Sequence, residues 1–406
     1  MHIHVLGAAP FGHLLAFHLQ RAAKTNVTLF LKQENAGVLN RPLDARLRVE
    51  TPDGVGDETM FSWELWDPAL RSLERVVFDR RGHTRLPSNR PLYPIRSLIV
   101  TTKPTSTVAA VRNLQTRLDA SSTLVILQGG LAVYDSLIRE VFSNPEQRPH
   151  FILGLSSHGI WRRTQHHLVH DRVGGFKFGI IAELARSVRR DFEASESDSL
   201  PFPERTLKLQ DIYSGPKDDP RYLSLRQTVT ALLQTEALKS RWLPMATMHR
   251  RLLRDCVVQS CVQPIAALSG CVPAALKFET PARRMIEEVC KEAAAVFHAQ
   301  NVSHRVQVRK SNTSLNIKSL VAEVMRHCDS ADSVPTQMGF HLDSGVLTDV
   351  DYYNGYLELL GKQFQVPTPS ISMLLNMVKL KHSLVLRGKS DKPIGISQPK
   401  QGGSDY

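Results

Sequence analysis

The sequence has 406 residues, 42% of them hydrophobic, which is enough to bury the cores of two domains. Lys and Arg outnumber Asp and Glu by 51 to 39, and the formal net charge of +12 favours anionic partners, among them nucleotides and RNA. Five cysteines without a C-x-x-C pair argue against a zinc site and indicate reduced thiols. No apolar run is long enough to cross a membrane, and an apolar strand starting at Met1 argues against a removable leader, so we expect a cytoplasmic or mitochondrial matrix protein.

The first 22 residues predict a buried strand, a tight turn and an amphipathic helix. The turn runs from Gly7 to Gly12 and keeps the first and third glycines of the dinucleotide fingerprint G-x-G-x-x-G, with Ala9 at the middle position. A middle glycine lets the backbone approach a pyrophosphate at the helix N-terminus; here the methyl group of Ala9 crowds the phosphates and Pro10 removes one N–H donor. Two interpretations stay open: a dinucleotide site, or a scaffold of the same fold that has lost its nucleotide.

The second predicted strand ends in Lys32, where an acidic residue would hold the ribose of NAD. A cation there suits a 2′-phosphate, so any dinucleotide is expected to be NADPH. A lysine after a strand is also common on a solvated surface, and that interpretation stays open.

Strands and helices alternate up to about residue 183, which predicts an α/β fold with a Rossmann-type, doubly wound parallel sheet. Such sheets bind ligands at the carboxyl ends of their strands, and Lys103, Gln128 and His158 fall at predicted strand ends. Residues 61–94, rich in Arg, Pro and Trp, are predicted to form an irregular surface insertion.

His166, His167 and His170 raise the question of a metal site. No Asp, Glu or Cys accompanies them at clear ligand spacing. We therefore expect a polar hairpin and no metal.

Strand patterns nearly vanish in the second half of the chain, which predicts an all-α second domain over residues 223–388. Residues 184–222 mix charge, serine and proline and are predicted to be an interdomain insertion, and residues 389–406 a disordered tail. Helices are expected over residues 223–238, 248–268, 282–299, 314–327 and 352–364.

Several motifs occur in an order that resembles the ketopantoate reductase (2-dehydropantoate 2-reductase) family. The most specific is Thr348-Asp349-Val350-Asp351-Tyr352-Tyr353-Asn354-Gly355, which is similar to the family signature T-E-I-D-Y-x-N-G. The resemblance also includes the glycine turn, a strand followed by Lys103, Gln128-Gly129-Gly130, Ser157-His158-Gly159 and Gln263-Pro264. It implies NADPH-dependent reduction of ketopantoate, and a C-terminal domain similar to that of 6-phosphogluconate dehydrogenase.

The resemblance also implies which residues form the site. The family uses a lysine as general acid, and Asp255 stands at that position, while Lys103 matches a second family lysine near the nicotinamide and substrate. Other family positions are changed as well, namely those of Gln128, Gln259, Gln263, Gln337 and Asp349. Lys103, Asp255, Gln259, Gln337 and Asp349 are expected to line one interdomain cleft.

Two functions are therefore predicted. The first is a non-catalytic family member that acts as a binding or regulatory factor; such chains resemble the fungal mitochondrial factors that activate translation of cytochrome b mRNA, and the basic charge is compatible with RNA. The second is an active NADPH-dependent reductase of ketopantoate or another 2-keto acid, with Lys103 as the acid. Asp255 and Ala9 argue for the first function.

Overall fold

A computed structural model describes residues 1–22, 25–32, 46–54, 56–67, 72–79, 82–86, 93–164, 166–181, 209, 219–303, 315–330 and 334–390. The chain divides into two compact units, Met1–Cys256 and Val257–Tyr406. In the described residues of the first unit, two sheets are built from fourteen strands: β1 His2–Leu6, β2 Asn26–Lys32, β3 Arg46–Glu50, β4 Gly56–Met60, β5 Ser62–Asp67, β6 Ser72–Asp79, β7 Gly82–Leu86, β8 Ser97–Val100, β9 Thr123–Ile126, β10 His150–Ser156, β11 Gly159–Thr164, β12 His167–Arg172, β13 Phe176–Ile180 and β14 Arg241–Trp242.

The centre of the larger sheet is parallel. Its strand order is β14-β13-β10-β9-β8-β1-β2-β5-β6-β7, and the run from β10 to β5 pairs in parallel throughout. All four residues of β8 and of β9 are buried, as expected for parallel strands covered on both faces. The helices of this unit are α1 Pro10–Arg21, α2 Pro104–Arg112, α3 Gly130–Glu140, α4 Leu223–Gln234 and the first half of α5 Met245–Ser269. The predicted α/β, Rossmann-type fold of the N-terminal part is confirmed.

Antiparallel strands extend the sheet at both edges. β13 pairs antiparallel with β10, and β5, β6 and β7 form an antiparallel meander at the other edge. The prediction that residues 61–94 are an irregular insertion is therefore wrong for most of that stretch. Edge strands often carry charged residues, because the charges keep an exposed sheet edge from pairing with another chain.

The smaller sheet has the order β11-β12-β3-β4. β11 and β12 form the hairpin expected around His166 and His167, and the turn at residues 51–54 joins β3 to β4. Gly54 takes a positive φ of 76° in that turn. In the part of the chain that is described, no His, Cys, Asp or Glu cluster could hold a metal ion.

A buried ion pair joins the sheet to the segment after α2. One Nη of Arg117 donates to Glu64 Oε2 at 2.7 Å, and the two side chains are 4% and 9% exposed. His4 Nε2 lies 3.8 Å from the other carboxylate oxygen of Glu64. Burial by itself would raise the pKa of Glu64, but the interaction with His4 and the hydrogen bond and charge of Arg117 outweigh it and lower that pKa to about 2.

The described residues of the second unit are helical, as predicted. Buried side chains of α5 and the last three helices form a core that includes Ala267, Met338, Leu342, Val350, Leu375 and Val378. The helices are the second half of α5, α6 Thr280–Ser303, α7 Ile317–Ser330, α8 Gln337–Asp343, α9 Val350–Gln363 and α10 Pro369–Ser390.

A buried carboxylate fixes the start of α10. Glu292, on α6, accepts hydrogen bonds from the backbone N–H groups of Ser370 (2.8 Å) and Ile371 (3.0 Å). These donors have no partner within the helix, and a carboxylate at the positive end of the helix dipole stabilises it. The inner face of α10 is therefore anchored on α6.

Several predictions fall partly outside the described residues. The predicted insertion at 184–222 lies outside them except for 209 and 219–222, and so do residues 391–406 of the predicted tail, whereas 389 and 390 belong to α10. The predicted domain boundaries stay predictions. Among the described residues, no helix is both long and apolar enough to span a membrane.

Candidate dinucleotide and active site

The glycine turn between β1 and α1 lies directly on the loop that follows β8. Gly7 has a φ of 107°, and a Cβ there would lie 2.5 Å from the backbone nitrogen of Thr102. A Cβ on Gly12 would overlap the side chain of Thr101. Thr101 is itself held by a 2.7 Å hydrogen bond from its N–H to the carbonyl of Leu6. Both glycines are required because two backbone segments meet here without room for a side chain.

Ala9 and Pro10 begin the helix. Ala9 is the N-cap residue in an extended conformation, and no side chain caps the helix there. Pro10 has no N–H, so Phe11 and Gly12 supply the first N–H groups that the helix leaves without internal acceptors. Two amides at a helix N-terminus can still face a phosphate group.

An arginine that the sequence analysis did not single out also reaches this turn. One Nη of Arg162, on β11, donates to the carbonyl oxygen of Ala8 at 2.6 Å and lies 3.2 Å from His13 Nδ1. His13 is buried on α1, and burial followed by the charge of Arg162 lowers its pKa to about 3. His13 is therefore neutral, and Arg162 brings a positive charge to the turn.

His158 and His170 have structural roles beside α1. His158 Nε2 is 3.0 Å from the carbonyl of Leu238, while His158 Nδ1 accepts from the N–H of Gly174 at 3.1 Å and lies 3.0 Å from His170 Nε2. The His158 ring stacks on Phe11, with centroids 5.9 Å apart. Burial lowers the pKa of both histidines. Both are neutral packing groups that support the first turn of α1.

Lys103 and Gln128 end up at the same edge of the sheet. Lys103 follows β8 and is the N-cap of α2, and Gln128 follows β9. Pro104, which follows Lys103, and Gly129, which follows Gln128, are close together. A Cβ on Gly129 would lie 3.0 Å from the Pro104 ring. The carboxyl edge of β1, β8 and β9 thus carries the glycine turn, Lys103 and Gln128 together. Lys32 is the last residue of β2, the neighbour of β1.

Asp255 belongs to the first unit and lies on α5. Leu252 lies beside Gly130, where a Cβ would be 3.1 Å from the leucine Cδ2. Asp255 follows three residues later and is half-buried, and residues three apart lie on one side of a helix. The assignment of Asp255 to the position of the family lysine rests on the sequence resemblance and stays a prediction.

Two of the predicted site residues of the second unit are hydrogen-bonded to each other. Gln263 Nε2 donates to Gln259 Oε1 at 3.1 Å, and Gln263 Oε1 accepts from the N–H of Met338 at 3.2 Å. Gln337 is the first residue of α8, and Asp349 is the N-cap of α9. The expectation that these residues share a cleft with Lys103 stays a prediction.

A comparison of two glycines tests the packing of the turn. We expect Gly7→Ala to lower the free energy of unfolding of the first unit by about 3 kcal/mol or more, since backbone strain adds to overlap with Thr102. Gly54→Ala is the matched control, because Gly54 also has a positive φ but no atom lies within 4 Å of the added Cβ. Its expected cost is about 1 kcal/mol. Denaturant unfolding followed by tryptophan fluorescence measures both, and equal costs would contradict the close approach of the loop.

A parallel dinucleotide-type sheet with a glycine turn, followed by a helical unit, defines the two-domain dehydrogenase class of folds. Family models match most of the chain: ketopantoate reductase PanE/ApbA over residues 3–183, and the ketopantoate reductase PanE/ApbA C terminal model over residues 247–382. The chain belongs to the ketopantoate reductase family.

Its similarity to individual members is low but extends over nearly whole chains. A "Probable 2-dehydropantoate 2-reductase" of Schizosaccharomyces pombe is 21% identical over 93% of this chain and 96% of its own length. The 2-dehydropantoate 2-reductase of Saccharomyces cerevisiae is 24% identical over 87% and 86%. Among solved structures, D-mandelate dehydrogenase with NADH and anilino(oxo)acetate has a TM-score of 0.65 at 14% identity, covering 95% of this chain and all of the other. A PanE/ApbA family ketopantoate reductase from Ralstonia eutropha JMP134 has a TM-score of 0.64 at 13% identity, with the same coverage.

Proposed function

We propose that this chain is a dinucleotide-binding member of the ketopantoate reductase family that does not carry out the family reaction and acts as a binding or regulatory factor. Asp255 carries the proposal. As hydride reaches a keto carbon, negative charge develops on the carbonyl oxygen, and a cationic acid lowers that barrier. An ionised carboxylate in the same place repels both the developing alkoxide and the carboxylate of a 2-keto acid.

The two glutamines support the same conclusion. Gln263 uses both ends of its amide, one on Gln259 and one on the N–H of Met338 at the start of α8. An amide engaged in this way stabilises the junction of two helices. To bind a substrate it would first have to break these bonds, and each broken bond without a replacement costs about 1 kcal/mol or more.

The N-terminal turn supports the dinucleotide part of the proposal. Gly7 and Gly12 allow the close packing of strand, turn and helix, and the amides of Phe11 and Gly12 at the start of α1 would be available to a phosphate group. Lys32, at the end of β2, suits the 2′-phosphate of NADPH, and D-mandelate dehydrogenase, of similar fold, was solved with NADH. When bound, NADPH supplies a hydride; the residues of this chain would hold its phosphates.

For the class of partner that such a factor would bind, the observation on this chain is its charge. The formal net charge of +12 favours a polyanion, and RNA, including mitochondrial messenger RNA, is the partner class suggested by the resemblance described above.

A second candidate function is NADPH-dependent reduction of ketopantoate or a related 2-keto acid. The position of Lys103 favours it, at the carboxyl edge of β8 and next to the Gly129 loop. A lysine there can donate a proton to a carbonyl oxygen. The names of the two yeast relatives favour the same function.

Fluorescence titration with NADPH tests the proposal. We expect saturable binding with a dissociation constant in the micromolar range, tighter in Ala9→Gly because the methyl group is removed, and at least about tenfold weaker in Lys32→Glu because the 2′-phosphate is repelled. Lys318→Glu is the matched control, since this exposed lysine lies on α7 of the second unit, and it should bind as the unmodified chain does. Absence of binding at millimolar NADPH would contradict the dinucleotide part.

A further inference from the structure

The side chain of Arg162 joins the smaller sheet to the glycine turn between β1 and α1. Arg162 lies on β11 opposite Leu168, a buried core residue of β12. Residues opposite each other in paired strands share one face of the sheet, so Arg162 lies on the inner face of the smaller sheet. This sheet packs against α1, and Arg162 reaches the turn at the start of that helix, 154 residues earlier in the chain.

One nitrogen of the guanidinium binds two acceptors there. The same Nη of Arg162 donates to the carbonyl oxygen of Ala8 at 2.6 Å and lies 3.2 Å from Nδ1 of His13. A terminal guanidinium nitrogen carries two N–H groups, so both bonds form together. Burial and the charge of Arg162 lower the pKa of His13 to about 3, and the neutral ring accepts through Nδ1. Arg162 therefore connects the glycine turn to the first turn of α1.

The carbonyl that Arg162 binds belongs to the same peptide unit as the N–H of Ala9. In a planar trans peptide the C=O and the N–H point in opposite directions. By holding the oxygen of Ala8, Arg162 directs the N–H of Ala9 away from β11. The carbonyl of Ala9 is fixed as well, because it accepts from the N–H of His13 at 3.1 Å, whereas no described residue accepts from the N–H of Ala9.

We propose, on the basis of the dinucleotide binding proposed above, that Arg162 is a positioning residue of that site: it holds the Ala8–Ala9 peptide so that the N–H of Ala9 donates to the pyrophosphate. Pro10 has no N–H, so without Ala9 only Phe11 and Gly12 offer amides at the start of α1. The N–H of Ala9 adds a donor directly before the proline.

The charge of Arg162 strengthens that donor. A cation bound to a carbonyl oxygen polarises the peptide, and linked hydrogen bonds in a protein reinforce one another. Hydrogen bonds to an ionised phosphate are charge-assisted and stronger than those between neutral groups. Arg162 is half-buried, so its charge is screened less than that of a fully exposed arginine. Its removal should therefore weaken phosphate binding even though Arg162 acts through the peptide.

The next residue of β11 provides a matched control. Arg163 carries the same charge, but one of its Nη atoms lies 2.8 Å from Glu50 Oε2, and its guanidinium lies over the Trp161 ring, 5.3 Å from the centroid. Successive side chains of a strand point to opposite faces, so Arg163 is directed away from α1. Replacing it removes one positive charge from the same strand and leaves the Ala8–Ala9 peptide held.

Fluorescence titration with NADPH tests the proposal. Arg162→Met should raise the dissociation constant at least about tenfold, because the donor to a charged group is no longer held, and Arg163→Met should change it less than about twofold. Arg162→Lys keeps a cation and a donor for the Ala8 carbonyl and should bind within about threefold of the unmodified chain. Arg162→Gln keeps a donor without charge, should weaken NADPH at least about threefold, and decides the point if Arg162→Met does not fold.

Adenosine 2′-monophosphate separates positioning of the amide from a general disturbance of the site. This ligand has the 2′-phosphate but no pyrophosphate, so its inhibition constant, measured by displacement of NADPH, should be equal in the unmodified chain and in Arg162→Met. Thermal unfolding confirms that the variants are folded.

The outcomes distinguish this proposal from the proposed function. NADPH binding that is equally tight in the unmodified chain and in Arg162→Met would overturn the role of Arg162 and leave dinucleotide binding in place. Absence of NADPH binding by the unmodified chain would overturn both. Equal weakening of NADPH and adenosine 2′-monophosphate, or a loss of the same size in Arg163→Met, would contradict positioning of the Ala9 amide.

Discussion

Purified protein supplied with NADPH and ketopantoate should oxidise NADPH at least about a hundredfold more slowly than a family member with lysine at the position of Asp255. Loss of a general acid costs about two to four orders of magnitude in rate, and here the replacement also opposes the developing negative charge. The measurement is the steady-state loss of NADPH absorbance at saturating substrate.

Restoring the family residues step by step shows which replacement accounts for the slow oxidation of NADPH. Asp255→Lys alone should recover little, because Gln259 and Gln263 remain bonded to each other and to α8. The triple variant Asp255→Lys, Gln259→Asn, Gln263→Asn should recover more than the sum of its parts, since residues that act as a unit are not additive. NADPH oxidation by the unmodified chain at rates ordinary for enzymes, abolished by Lys103→Ala, would instead establish the reductase function.

Arg117→Met is expected to lower the free energy of unfolding of the first unit by about 3–5 kcal/mol. The substitution leaves the Glu64 carboxylate buried without its strongest partner, and an unpaired buried charge is among the costliest defects in a folded protein. The exposed pair Arg96–Asp119 provides the control: its side chains are about half exposed, and Arg96→Met should cost no more than about 1 kcal/mol. The double variant Arg117→Met, Glu64→Leu should be more stable than Arg117→Met alone.

The Arg117–Glu64 ion pair also makes the free energy of unfolding depend on pH in the acid range. The pKa of Glu64 falls from 4.5 to about 2 on folding, so its contribution is fully present above pH 4.5 and is lost as the pH drops toward 2. In Arg117→Met the acid loss assigned to Glu64 should shrink, because one of the two side chains that lower its pKa is removed while His4 remains. Urea unfolding at a series of pH values measures it, and an unchanged acid profile in Arg117→Met would contradict the assignment.

Sequence patterns predicted features that depend on neighbours in the chain. The strand, turn and helix at the N-terminus and the helices of the second unit are visible as periodicity, and the Gln259–Gln263 bond spans one helical turn. The strands within residues 61–94 were missed because short edge strands with charges resemble loops. Arg162 and Ala8 are 154 residues apart and Arg117 and Glu64 are 53 apart. No local pattern indicates such pairs, which are decided by how the sheets and helices pack.

The order of strands in the sheet also determines when the N-terminus can acquire its structure during synthesis. β1 pairs with β8, and the residues that pair, such as Val5 and Ile99, are 94 positions apart. At about 5–20 residues per second, the ribosome finishes β8 about 5–20 s after β1. During that interval one edge of β1 has no partner strand, and the loop at Thr101 and Thr102 that packs against Gly7 and Gly12 has not been made. Non-local pairing of this kind slows folding, so nascent chains should depend on protection of β1 until the middle of the first unit has emerged.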